Sequence, residues 1–247
     1  MTELVHLQVA DGVATITLDS PHNKNALSQQ LTGELLEHLE AAGADDEVRV
    51  IVVRSALDVF CSGADLSEAT TIGMGVGAQR MVDVQRAIVA NPKPVIARVA
   101  GAVRAGGIGI VAASDISVAG ESATFALTEV RLGLAAATIS LTVLPRLTDR
   151  AAAYTFLTGS GFDALEAARF GLLTLTVPDD DLDAAVGAVL EAVLKGVPQG
   201  LQETKKLLNR DLLVDIDARG KDLAELSASL FGSSAAQQAM LDFLNRR

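Results

Sequence analysis

Short runs rich in apolar and β-branched residues alternate with helix-spaced stretches through the first half of the chain, and helical spacing dominates from Thr138 onward. Leu4 to Ala10 and Val13 to Leu18 flank Asp11-Gly12, the dipeptide that favours a tight hairpin, so the chain is predicted to open with a β-hairpin. A turn-forming cluster, Ser20 to Leu27, then leads into a helix from about Ser28 to Ala42, with Leu31, Leu35, Leu36 and Leu39 on one face. Val48 to Arg54 reads as a buried strand, and small residues, Val59 to Leu66, follow its exit. Residues 69–77 show no clear period and are predicted to be a loop. A helix from about Gln79 to Ala90 ends at Asn91-Pro92-Lys93-Pro94. Two strand-like runs, Pro94 to Val99 and Ile116 to Ala119, bracket a glycine-rich turn from Gly101 to Ile110. Thr124 to Gly133 reads as a short strand running into a turn, and Leu172 to Val177 as a strand among later helices punctuated at Pro145, Gly161, Gly171, Pro178 and Pro198. The pattern predicts an α/β core over 1–190 and a helical C-terminal region over 191–247 that belongs to the same structural unit.

Composition narrows the partners. With 247 residues and 49% apolar content the chain can build a sizeable core. A net charge of −11, 3% aromatic residues and no Lys/Arg run leave neither the basic stripe nor the stacking platform that nucleic acid requires, so no nucleic-acid partner is expected. No uncharged apolar run approaches membrane-spanning length, so no membrane partner is expected. Cys61 is the single cysteine, and the Met1-Thr2-Glu3-Leu4 start lacks the positive and apolar regions of a leader, so a cytoplasmic location is expected.

Several chemistries are poorly served. His6, His22 and His38 lack a His-Glu-x-x-His or Cys-x-x-Cys companion, so no metal site is expected. Cys61 has no activating neighbour in sequence and reads more readily as a small buried thiol than as a nucleophile. There is no Gly-x-Ser-x-Gly elbow. Gly107 to Ala112 fits a loose dinucleotide fingerprint, yet its strand ends too early, near Val99, and no Lys-Ser or Lys-Thr pair follows Gly106-Gly107 as a phosphate loop demands. What remains is a pair of small-residue turns, Ser62-Gly63-Ala64-Asp65 and Arg104-Ala105-Gly106-Gly107, each beyond a strand. They are either packing turns or a pair of backbone N–H donors aimed at one oxygen, an oxyanion hole.

Phe60-Cys61-Ser62-Gly63-Ala64-Asp65-Leu66, the glycine turn some 40 residues later, and Phe125 to Gly133 together resemble the signature of the crotonase family, the enoyl-CoA hydratases and isomerases. Pro21 to Leu27 is similar to that family's Pro…Asn-Ala-Leu loop, and Leu230-Phe231 with Met240 to Leu244 more loosely to its C-terminal helix. The resemblance implies a spiral of ββα units with a helical C-terminal trimerisation region, an acyl-CoA thioester as ligand, no metal or redox cofactor, and a homotrimer or dimer of trimers. It implies that the N–H groups of Ala64 and Gly106 hold a thioester enolate and that Glu129 is the acid/base. Ser62, Asp65 and Leu66, with His22 and Lys24 in the bordering loop, would contact the coenzyme A moiety. Two departures stand out. Hydratases of this kind place a second glutamate three residues beyond the oxyanion glycine, where this chain has Gly109, and Ala135-Ala136-Ala137-Thr138 replaces a frequent Pro-Gly pair. The reading is an enoyl-CoA hydratase working with one glutamate; the alternatives are a 3,2-enoyl-CoA isomerase, which needs only one base, and an acyl-CoA-binding relative without turnover. Apart from the resemblance, Glu129 reads as one of 31 acidic residues, solvated or paired with Arg131.

Overall fold

The computed structural model describes residues 2–65, 67–68 and 74–244. Strands β1 (Val5–Ala10) and β2 (Val13–Leu18) pair antiparallel with Ala10 opposite Val13. The connection is therefore Asp11 and Gly12 alone, at φ 51° and 79°, the two positive angles that a twist-matched two-residue turn needs. In β2, Ala14, Ile16 and Leu18 alternate into the core. Parallel to β2 run β3 (Val50–Ser55), β5 (Val95–Val99), β7 (Ile116–Gly120) and β10 (Leu175–Val177), giving a six-stranded sheet in the order β1-β2-β3-β5-β7-β10. A second sheet holds β4 (Val59–Cys61), β6 (Ala102–Arg104), β8 (Thr124–Ala126) and β9 (Phe162–Asp163) in that order, the first three parallel.

The helices are α1 (Gln29–Ala44), α2 (Met74–Ala90), α3 (Gly106–Ala113), α4 (Ala137–Val143), α5 (Asp149–Thr158), α6 (Ala164–Phe170), α7 (Leu182–Leu194), α8 (Pro198–Phe231) and α9 (Ser234–Leu244). Three times in succession the chain lays a strand in the large sheet, then a strand in the small one, then turns helical: β3-β4-α2, β5-β6-α3, and β7-β8 with the 3-10 helix Thr128–Leu132. This is the expected spiral of ββα units. Val50, Ile51, Val52 and Val53 are all buried because both faces of the large sheet are covered. One face packs on the main core with Leu31, Leu35 and Leu39 of α1; the other meets Val189, Leu190, Val193 and Leu194 of α7. Among the described residues no single helix is long and apolar enough to cross a membrane.

Three sequence expectations need correction. Residues 69–73 lie outside the described residues, but the rest of the predicted loop is helical: α2 begins at Met74, not near Gln79. Gly75 and Gly77 hide the period, whereas Ala78, Met81 and Val82 bury against the core and supply the packing that extends the helix. Ala102 to Arg104, read as part of a turn, form β6, whose Val103 is buried and pairs with β4 on one side and β8 on the other. Three residues are too few for alternation to show. The same brevity concealed β9, which stacks Phe162 on Phe125 with ring centroids 5.6 Å apart.

Helix α8 is fastened to this core by a buried polar knot. Lys205 Nζ reaches Asp115 Oδ2 at 2.7 Å and donates to the carbonyls of Ile88 and Lys93. Asn209 Nδ2 donates to Asp115 Oδ1 and to Val89 O, and Asp115 Oδ2 also accepts the Val95 N–H. Higher along α8, a Cβ added at Gly220 would stand 2.6 Å from Val82 Cγ1, so α2 and α8 approach closely there.

Candidate active site

Parallel neighbours end at the same edge of their sheet, so the exits of β4, β6 and β8 deliver three turns to one place. The β4 exit carries Ser62, Gly63, Ala64 and Asp65; the β6 exit carries Ala105, Gly106 and Gly107, the last two opening α3; the β8 exit carries Glu129 on its 3-10 helix. The first two turns touch: a Cβ at Gly63, where φ is 98°, would lie 3.1 Å from Ala105 Cβ. Ala105 itself sits at φ 47° and ψ −118°, a conformation rarely adopted by a residue with a Cβ. Its N–H donates to Ala126 O at 3.2 Å, which ties the second turn to the strand that leads into Glu129.

The loop Ser20 to Leu27 closes over the first turn. Lys24 and Asn25 both have positive φ, and the fully buried Asn25 explains why the loop holds this shape. Asn25 Oδ1 accepts the Ser20 N–H at 2.7 Å, while Nδ2 donates to Ser55 Oγ, Val59 O and Phe60 O. Further bonds lace the loop to the β4 exit. Leu27 N–H donates to Gly63 O at 2.8 Å, Ser62 N–H to Lys24 O, Ser62 Oγ to Asn23 O, and Asn23 Nδ2 to Asp65 Oδ2 at 2.9 Å. Replacing Asn25 by alanine leaves the buried Ser20 N–H without its acceptor and takes the Nδ2 donor from Phe60 O, while Ser55 Oγ and Val59 O still bond each other. We expect a loss of about 1–3 kcal/mol, read as a lower denaturant midpoint.

This lacing leaves two donors over. Among the described residues neither the Ala64 N–H nor the Gly106 N–H has an acceptor, because the bridge between Leu27 and Ala64 uses the Gly63 carbonyl, and Gly106 opens a helix whose first N–H groups have no intrahelical partner. Leu27 lies across Gly106, its Cδ1 2.5 Å from where a Cβ would be. The turns are thus a cradle of free N–H groups rather than a packing device alone.

Glu129 is half-buried as a residue, but its Oε2 is sealed from solvent and has no hydrogen-bond partner. Burial pushes its carboxyl up from the ordinary 4.5 to about 7, offset only in part by its own backbone N–H. It is not paired with Arg131, whose Nε donates to Thr158 O at 3.2 Å and whose Nη2 contacts Ser160 Oγ at 3.5 Å. A carboxyl whose pKa is raised to about 7 by burial is suited to proton transfer near neutral pH.

Gly109 is buried, and the space ahead of it is filled. A Cβ there would lie 2.6 Å from Ile139 Cγ2 and 3.4 Å from Gln85 Oε1. Gln85 is itself engaged: Nε2 donates to Met81 O and Thr138 O, and Oε1 accepts the Thr142 hydroxyl at 2.6 Å. No second carboxyl fits at this position.

Of the residues expected from sequence, the structure places Ser62, Ala64 and Asp65 on the β4 exit and Gly106 on the neighbouring β6 exit, which meet at Gly63 and Ala105, and Glu129 follows β8, whose Ala126 O accepts the Ala105 N–H. His22 and Lys24 are exposed on the bordering loop, with His22 Nδ1 3.3 Å from Ser20 Oγ. Leu66 lies outside the described residues. Sequence reasoning named Asn25 and Ala105 only as members of the Pro21 to Leu27 loop and the Arg104 to Gly107 turn, and missed Gln85 and Ile139. Only Asn25 left a signal, as a residue suited to positive φ in a turn cluster.

A family model described as "Enoyl-CoA hydratase/isomerase" matches residues 8–247. A crystal structure of an enoyl-CoA hydratase from Mycobacterium avium superimposes with a TM-score of 0.93 at 45% identity, covering 100% of this chain and 98% of that one. Human enoyl-CoA hydratase domain-containing protein 2, mitochondrial, is 33% identical over 83% of this chain and 73% of its own length. The (E)-benzylidenesuccinyl-CoA hydratase of Thauera aromatica is 31% identical over 84% of each.

Proposed function

The chain belongs to the enoyl-CoA hydratase/isomerase family, and we propose that it hydrates a 2-enoyl-CoA thioester with Glu129 as its single acid/base group. The observation that carries this reading is the sealed, partnerless Oε2 of Glu129, with a carboxyl pushed to about 7. Near neutral pH such a group keeps a substantial protonated fraction. Water adds its oxygen to C3 of the enoyl group, the electron pair of the double bond moves toward the thioester carbonyl, and the resulting enolate oxygen is met by the N–H groups of Ala64 and Gly106. Glu129 then delivers its proton to C2 and recovers one from the added water. Dipoles already fixed in place stabilise the developing charge without reorganising, an effect worth roughly 3–4 kcal/mol for one such donor in a well-studied protease. The names of the similar hydratases support the reaction, and the reading assigns no metal or redox cofactor.

A second reading, 3,2-enoyl-CoA isomerisation, is favoured by the packing at Gly109. With Ile139 and Gln85 filling that space, no second carboxyl orients the attacking water. One base suffices to take a proton from C2 and return it at C4. The exposed Leu207, Leu208 and Val214 of α8 support the further proposal of a homotrimer or dimer of trimers.

Purified protein given a 2-enoyl-CoA and, separately, a 3-enoyl-CoA tests both. Hydration lowers the conjugated-thioester absorbance with the first; isomerisation raises it with the second; a protein that only binds changes neither. The pH profile gives an independent answer. A hydratase needing Glu129 as proton donor should lose rate as pH rises through about 7, whereas an isomerase needing the carboxylate should gain rate over the same range.

A further inference from the structure

Cys61 ends β4 and is wholly buried. Gly63 N–H donates to its sulfur at 3.5 Å. The opposite turn presses on it from the other side, since a Cβ at Gly107 would stand 2.6 Å from Cys61 Cβ and 3.0 Å from Sγ. Gly107 N–H is the second backbone donor aimed at the sulfur. Burial pushes the thiol up to about 12, so it stays a neutral SH group, which explains why no nucleophilic or redox role suits it. Its two neighbours are the residues adjoining the free donors: Gly63 precedes Ala64, and Gly107 follows Gly106.

We infer that Cys61 is a positioning residue whose sulfur ties the β4 exit to the start of α3, so that the two adjoining N–H groups converge on one substrate oxygen. The inference rests on the reading of Ala64 and Gly106 as oxyanion donors. It also accounts for the glycine at 107, where any side chain would push the turns apart.

The test uses Cys61→Val, which fills the volume without an acceptor, Cys61→Ala, which removes both, and Cys61→Ser, which keeps one. Turnover of the enoyl-CoA substrates is read alongside the enolate absorbance of bound acetoacetyl-CoA, a probe that reports oxyanion stabilisation without turnover, and alongside affinity for free coenzyme A. Cys61→Val and Cys61→Ala should lower kcat roughly 10–100-fold, the scale of a small misplacement at a reacting centre, and weaken the enolate band. Their KM and affinity for coenzyme A should not change, and Cys61→Ser should recover most of the loss. Having both acceptor-free variants keeps the test readable if one fails to fold. Valine or alanine variants matching wild type, or a serine variant as impaired as valine, would overturn the tether while wild-type turnover and enolate band stand. A wild type that shows neither turnover nor enolate band would bring down the oxyanion reading and the tether with it.

Discussion

Glu129→Gln is expected to lower turnover by a factor of about 10²–10⁴, the range contributed by a positioned acid/base group, while leaving acyl-CoA binding in place. Glutamine keeps the shape and polarity of the side chain but neither donates a carboxyl proton nor accepts one. The same variant should be more stable than wild type above neutral pH. The unfolded chain releases this proton near 4.5, the folded chain only near 7, so between those values the folded state binds more protons and its stability falls as pH rises. Above 7 the ionised, unpaired carboxylate is a standing cost that glutamine removes. Thermal midpoints of the two proteins should therefore coincide near pH 4 and separate by pH 8 in favour of the variant. Undiminished turnover by Glu129→Gln would remove the residue from the chemistry. Equal midpoints at pH 8 would show that Oε2 is solvated.

The contrast between Glu129 and Gly109 shows how much of the site was legible in the chain. The two small-residue turns were legible from local composition as candidate backbone donors after short strands, whereas Glu129 was singled out only by the resemblance of Phe125 to Gly133 to the family signature. That Glu129 stands apart from Arg131 was not legible. Two residues of separation allow a pair, and only the course of the 3-10 helix sends Arg131 to Thr158 and Ser160. At Gly109 the sequence showed a missing side chain but not what replaced it. Ile139 is 30 positions further on, and its contact is created by the packing of α4 on α3. The fold followed the same division. The Asp11-Gly12 hairpin and the leucine face of α1 are local patterns, whereas β6 and β9 exist through pairing with distant strands. The start of α2 similarly rests on burial that overrides two glycines.

Lys205→Ala should be the most destabilising change outside the site. The ammonium is buried and held by Asp115 and the carbonyls of Ile88 and Lys93, and burial lowers its pKa against the opposing pull of Asp115. Removing it leaves the two carbonyls without that donor and Asp115 with a buried charge answered only by Val95 N–H and Asn209. Deleting one member of such a pair costs about 3–5 kcal/mol. For a chain of this size that corresponds to a fall in Tm on the order of 10 °C. Arg210 and Asp211, about one and a half turns further along α8, form an exposed ion pair whose removal should have no measurable effect, since exposed pairs contribute little. Lys205 joins α8 to the end of α2, which packs on α3, and to the residues before β5. A modest effect of Lys205→Ala, equal to that of Arg210→Ala, would mean that α8 is held by its apolar contacts alone, through Ile216, Ala224 and the close crossing at Gly220.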